Sequence, residues 1–310
     1  MTVFEAKKIV YDYYEKTNSN KEDNFLFTEA LSFLIEETKD PRYMTELGAY
    51  YYGKKQFDLA LKYYDMASEC NDIYATLDLG YIWYYGRTGE KNYEKAFHYY
   101  SKAKEMSEDS KSSPKADAFD RRVNGLIASY KIADMYKNGY YVEQDYKKYR
   151  EIIEDLYPKV EGANNLGEPL PEIFTRLAKI RAEDGEKEEA IYLYERARDF
   201  LEQRIRYNAF FGDLTIMKWL IKDYYDLVPF DKDYILLYDL YYALKEPCKV
   251  KFIFEGEEHE VESLIEDGVL VVRFDDNWYR SIYDFFAKAT VNDTLLTTRY
   301  QELIDFEVIE

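Results

Sequence analysis

The chain has 310 residues, enough to bury a substantial core as one extended array or two compact domains, and carries 42 basic against 61 acidic side chains for a net charge of −19. A field of that sign repels nucleic acid and anionic membranes, which argues against a generic polyanion-binding role. Cys70 and Cys248 form no close-spaced pair, so neither a disulfide framework nor a CxxC metal site is indicated, and no apolar run approaches the length of a membrane span or a signal peptide.

Residues 1–40 open with "KKIVYDYYEKT" and "FTEALSFLIEET", two amphipathic stretches expected to form a helical cap or a divergent repeat. Self-similarity then dominates. "ELGAYYYGKKQFDLALKYYDMA" supplies Leu47, Gly48, Tyr51, Ala60, Tyr64 and Ala67, and "DLGYIWYYGRTGEKNYEKAFHYYSKA" supplies Leu79, Gly80, Trp83, Ala96, Tyr100 and Ala103 in the same order. A small residue beside a large one at helical intervals lets two helices approach closely while an aromatic fills the gap. Such a hairpin cannot bury its apolar face alone and must stack on a neighbour. A third copy, "YKIADMYKNGYYVEQDYKKYREIIEDL", keeps Ile132, Ala133, Tyr136 and Gly139 but has Tyr149 at the small central position, from which a splayed hairpin is expected. A fourth, "FTRLAKIRAEDGEKEEAIYLYERA", has Leu177, Ala178, Ala190, Tyr194 and Ala197, with Arg181 where an aromatic is expected.

These residues resemble the tetratricopeptide repeat and, where the distance from leading leucine to central alanine grows from 13 to 17 residues, its Sel-one-like variant. The resemblance covers residues 41 to about 200 of a repeat domain expected at 41–206 and implies an α-α superhelix that scaffolds protein complexes. Within that span, the serine-rich segment at about 104–124, broken by Pro114, reads as an exposed insert that can carry extended helix ends. The resemblance also divides the aromatics by position. Tyr51, Trp83 and Tyr136 fall in the seam between helices, with Tyr64 and Tyr100 in the core. Residues two before, two and five after, and five before the leading position face the concave groove: Tyr52, Tyr74, Tyr81, Tyr84, Tyr130, Asp134, Lys137 and Lys179, with Thr45, Ala49, Leu77 and Thr175 beside them. Tyrosine is the most numerous aromatic, at 35 copies against 18 phenylalanines and 3 tryptophans, and its amphipathic ring suits a surface that grips an extended peptide. Packing beneath other parts of the chain is the competing role for the same rings. Arg196, Arg198, Arg204 and Arg206, interleaved with acids, are expected to form ion pairs along a helix face.

Residues 207–246 read as a helical cap. From 247 to 310 the pattern alternates: "KVKFIF", "HEVESLI", "VLVVRF" after an Asp-Gly turn, and "LIDFEVI" are expected strands, with "SIYDFFAKA" a capped short helix. A small α+β domain of three to four strands follows. Trp278, Tyr279 and Arg280, expected at a turn before that helix, are candidate contacts, with docking onto a neighbour the favoured role. Catalysis finds little support: the only histidines are His98 and His259, and no GxSxG elbow, metal-spaced pair or phosphate-cradling glycine loop is present. The fold class expected is therefore mainly α, with helical-hairpin repeats followed by a small α+β domain. Its expected role is that of a cytoplasmic, cofactor-free, non-enzymatic adaptor for an unknown protein or peptide, with nucleic acid and membrane disfavoured as partners. The alternative is a regulatory sensor whose terminal domain binds a small ligand or nucleic acid.

Overall fold

The computed structural model describes every residue except 17–19, 114, 209–211, 229–239, 241, 242, 245, 297–302 and 310. It divides into two compact units, Met1–Pro158 and Lys159–Glu310.

The first unit holds α1 (Val3–Tyr14), α2 (Lys21–Thr38), α3 (Pro41–Gly53), α4 (Phe57–Glu69), α5 (Ile73–Tyr85), α6 (Tyr93–Glu108) and α7 (Ala118–Asn138), and nearly all of α8 (Tyr146–Val160). Local chemistry sets their ends. Thr2 and Glu5 form a reciprocal capping box on α1, Asp40 caps α3 ahead of Pro41, and Asp72 caps α5. α5 and α7 both stop at a left-handed glycine, Gly86 and Gly139. α3 packs on α4, and α5 on α6, through the small-to-large pairing visible in the sequence. A Cβ on Gly48 would lie 2.8 Å from the Tyr64 ring, and one on Gly80 would lie 2.6 Å from the Tyr100 ring. Ala60, Ala67, Ala96 and Ala103 are fully buried in the same seams. Of the segment 104–124 expected as an exposed insert, residues 104–108 continue α6 and 118–124 begin α7. Ser113 and Ala116 are buried in the connection, and a Cβ on Gly125 would lie 2.7 Å from Ser107 Cβ. The polar composition concealed the bounds of a helix end that tertiary packing stabilises.

The second unit begins with α9 (Leu170–Glu183), α10 (Lys187–Asn208) and α11 (Asp213–Tyr225). Arg204 of α10 is not on a helix face: its buried guanidinium reaches Glu172 Oε1 of α9 at 2.9 Å and also pairs with Asp213 of α11. Arg198 pairs with its neighbour Asp199, and Arg196 donates to the Tyr192 hydroxyl. Of the 207–246 cap, 209–211, 229–239, 241, 242 and 245 lie outside the described residues.

The terminal region forms a five-stranded antiparallel sheet in the order β4-β3-β2-β1-β7 and a separate β5-β6 pair. The strands are β1 (Cys248–Phe254), β2 (Glu257–Glu266), β3 (Val269–Phe274), β4 (Asn277–Tyr279), β5 (Thr290–Val291), β6 (Thr294–Leu295) and β7 (Ile304–Ile309), with α12 (Ile282–Lys288) after β4. The Glu255-Gly256 and Asp267-Gly268 turns adopt the positive φ that two-residue hairpins need. Val250, Phe252 and Phe254 alternate into the core, while Lys249 and Lys251 pair with Glu260 and Glu258 on the opposite face. The sheet exceeds the expected three to four strands because Asp275, at φ 49°, starts a further hairpin into β4, and three residues are too few to show alternation.

Candidate functional site

α5 is the centre of the candidate site. Leu79 and Ile82 bury one side, and the spacing of Tyr74, Asp78, Tyr81 and Tyr85 places these four on a stripe along the other. Gly86, at φ 66°, turns the chain so that Arg87 folds back over this stripe. Its Nη2 donates to the Tyr81 hydroxyl at 3.0 Å, and the guanidinium lies 5.5 Å from the ring centroids of both Tyr81 and Tyr85. α7 contributes Lys131, whose ammonium donates to the Tyr85 hydroxyl at 2.9 Å and stands 5.0 Å from that ring's centroid. Tyr52 of α3 lies within electrostatic reach of Tyr81 and Arg87. Tyr84 packs against Tyr85 at 4.9 Å and Tyr93 at 5.7 Å, and Tyr93 stacks on Tyr140 at 4.2 Å.

Burial sets the electrostatics beneath this surface. It raises the Asp78 carboxyl to about 7, with the Tyr64 hydrogen bond opposing the shift and the charge of Asp72 adding to it. The phenols of Tyr52, Tyr81 and Tyr84 are likewise raised, first by burial, so they stay protonated and can donate.

Tyr52, Tyr81 and Tyr84 thus meet on one surface. Tyr74 is 40 % exposed, with Asp120 close enough to raise its phenol after burial has done so. Tyr130, expected in the open groove, is only 7 % exposed and lies with Leu126 and Ala133 on a buried stripe of α7, while Ala128, Ile132 and Met135 cluster with residues of α6. Asp134 adds a negative charge near Tyr84, and the Lys137 ammonium lies 4.8 Å from the Tyr149 ring centroid. Lys179 belongs to the second unit, where it pairs with Asp223 at 3.3 Å. Trp278 and Tyr279 stand on edge strand β4 rather than in a turn; Trp278 is 54 % exposed, and Tyr279 packs edge-on to Phe285. The Arg280 amide donates to Asp284 at the start of α12.

The groove offsets do not reach Tyr85, Arg87 or Lys131. Tyr85 is six residues past the leading leucine, outside the four groove offsets, yet its spacing of four from Tyr81 places it on the same face. His98 is exposed against Tyr99, while His259 is buried among Phe252, Phe254 and Phe274 with Nδ1 3.1 Å from Asp275. Among the described residues no group of three or more His, Cys, Asp or Glu is placed to hold a metal, and no helix is long and apolar enough to cross a membrane.

The Sel1 repeat family model matches residues 41–72, 73–107, 126–148 and 181–199. Four stretches of the chain thus match Sel1 repeats. The first two repeats coincide with the α3–α4 and α5–α6 hairpins, so the tyrosine face lies mainly on Sel1 repeats. A Sel1 repeat protein from Oxalobacter formigenes is similar over 66 % of this chain and 77 % of its own, at 19 % identity and a TM-score of 0.43. The protective antigen c5321 of uropathogenic Escherichia coli strains, which displays an SLR fold, is similar over 72 % of this chain and 64 % of its own, at 16 % identity and a TM-score of 0.25. No curated protein matches the chain.

Proposed function

We propose that this protein is a non-catalytic interaction scaffold that holds a peptide or protein segment against the face built by α3, α5 and α7. Sel1 repeats are in general protein–protein interaction scaffolds, and the helical hairpins here are of that kind. The convergence of Tyr52, Tyr81, Tyr84 and Tyr85 with Arg87 and Lys131 carries the proposal. Aromatic rings held by neighbouring rings and cations lose little freedom when a guest docks, and tyrosine and arginine are the residue types on which binding energy concentrates.

The test selects peptides from a displayed library on the full-length chain and measures their affinities for wild type and for Tyr85→Ala and Tyr81→Ala. Loss of a typical anchor costs about 2 kcal/mol or more, so affinity should fall at least ~30-fold with the thermal unfolding profile retained. Selected peptides that bind wild type and both variants equally would place the binding surface elsewhere.

A further inference from the structure

We infer that the segment held on this face is acidic: an extended peptide whose aspartate or glutamate side chains, two residues apart, engage Arg87 and Lys131 on either side of the Tyr85 hydroxyl. The inference rests on the tyrosine-face reading above and adds the chemistry of its guest.

Three observations carry it. First, Arg87 and Lys131 share one exposed ring, at 5.5 and 5.0 Å from the Tyr85 centroid. Arg87 donates to the Tyr81 phenol and Lys131 to the Tyr85 phenol. Lys131 pairs with no carboxylate among the described residues, although the chain holds 61 acidic side chains against 42 basic ones. Asp134 and Asp78 face the same cluster, but Asp78 titrates at about 7 and so is only partly charged at neutral pH.

Second, the Tyr85 hydroxyl is a donor that a guest can reach. The Tyr85 oxygen accepts from Lys131, which leaves its own O–H to donate outward, polarised by the ammonium behind it. An outward hydroxyl donor beside two cations favours an anionic acceptor.

Third, the spacing suits an extended chain. Alternate side chains of a strand project to the same face roughly 6–7 Å apart, within the span open to two cations that stand 5.5 and 5.0 Å from one ring centroid. The residue between them projects away from the face, so its identity should matter little.

The experiment measures fluorescence anisotropy of rhodamine-labelled, C-terminally amidated peptides against the full-length chain. One peptide carries Glu-Ser-Glu within a Gly/Ser frame; the second carries Gln-Ser-Gln in its place. Charge-assisted contacts should make the glutamate peptide bind roughly tenfold tighter or more. Arg87→Gln and Lys131→Gln should each remove most of that preference, while Arg87→Lys and Lys131→Arg keep it. A free C-terminal carboxylate should add nothing; tightening confined to the free-acid form, or no binding of either peptide up to millimolar concentration, overturns the inference. Equal binding of both peptides that is lost in Tyr85→Ala also overturns it and leaves the tyrosine face standing as the site. Binding that survives Tyr85→Ala overturns both.

Discussion

Gly80 and Gly53 show how one residue type can carry opposite consequences. Gly80 has a tyrosine ring where its side chain would be, with a Cβ only 2.6 Å from Tyr100, so Gly80→Ala must displace a ring packed on every side and should destabilise by about 1–3 kcal/mol. Nothing lies within 4 Å of a Cβ on Gly53, so Gly53→Ala should stabilise α3 by about 0.5–1 kcal/mol through lower backbone entropy in the unfolded chain. Urea unfolding of the two variants checks the contrast; equal shifts would mean that Gly80 is not the point of helix contact. Asp78 gives a second residue-scale expectation. Burial raises its carboxyl from 3.8 to about 7, so between those values the folded state binds more protons than the unfolded chain. Its contribution to stability is therefore fully present below pH ~4 and is lost as pH rises through about 7. Subtracting the pH profile of Asp78→Asn from that of wild type should leave a curve that falls across this window; a difference that rises or stays flat would contradict the burial of this carboxyl.

At the scale of elements, the small-to-large pairing tolerates inversion. In the third repeat Ala133 holds the place of Gly80, while Tyr149 and Ile153 hold those of Ala96 and Tyr100, so the large ring has moved one turn along the second helix. Tyr149 and Ile153 are nevertheless both fully buried. The hairpins were legible in the sequence because their phase is written in local spacing: leucine, glycine, aromatic, then alanine and tyrosine. The bounds of the first half of α7 were not legible, because "DSKSSPKADAFDRR" has the polarity of a loop and its helix depends on a cap and a tertiary contact. The cap is Asp117, whose carboxylate accepts from the Asp120 amide at 2.8 Å, and the contact is Gly125 against Ser107. Replacing Asp117 with Ala should cost about 1 kcal/mol and speed amide exchange in residues 118–124 relative to 126–135. Unprotected amides at 121–124 in wild type would instead restore the exposed insert. The tyrosine face was half legible for a similar reason: groove offsets found Tyr52, Tyr81 and Tyr84, but the cations come from a turn after Gly86 and from a neighbouring helix, which spacing within one repeat cannot reveal.

At the scale of the whole molecule, the net charge of −19 opposes the local chemistry of the tyrosine face. An acidic peptide approaching from a distance meets a repulsive field, and only within about a Debye length do Arg87 and Lys131 outweigh the excess of carboxylates. Salt therefore acts on the two stages of binding separately. Raising ionic strength from ~0.01 M to ~0.1 M shortens the Debye length from about 30 Å to about 10 Å, which removes most of the distant repulsion and preserves more of the contact attraction. The association rate of the glutamate peptide should then rise with salt, the reverse of the usual behaviour of oppositely charged partners, and its dissociation rate should rise as well because the contact itself is ionic. Stopped-flow anisotropy resolves the two rates. In Lys131→Gln the dissociation rate should lose part of its salt dependence while the association rate still rises, since one substitution changes the contact far more than it changes a global charge of −19. An association rate that falls with salt in wild type would show that the cations at Tyr85 dominate the field well beyond contact, and that the acidic excess has no part in selecting the guest.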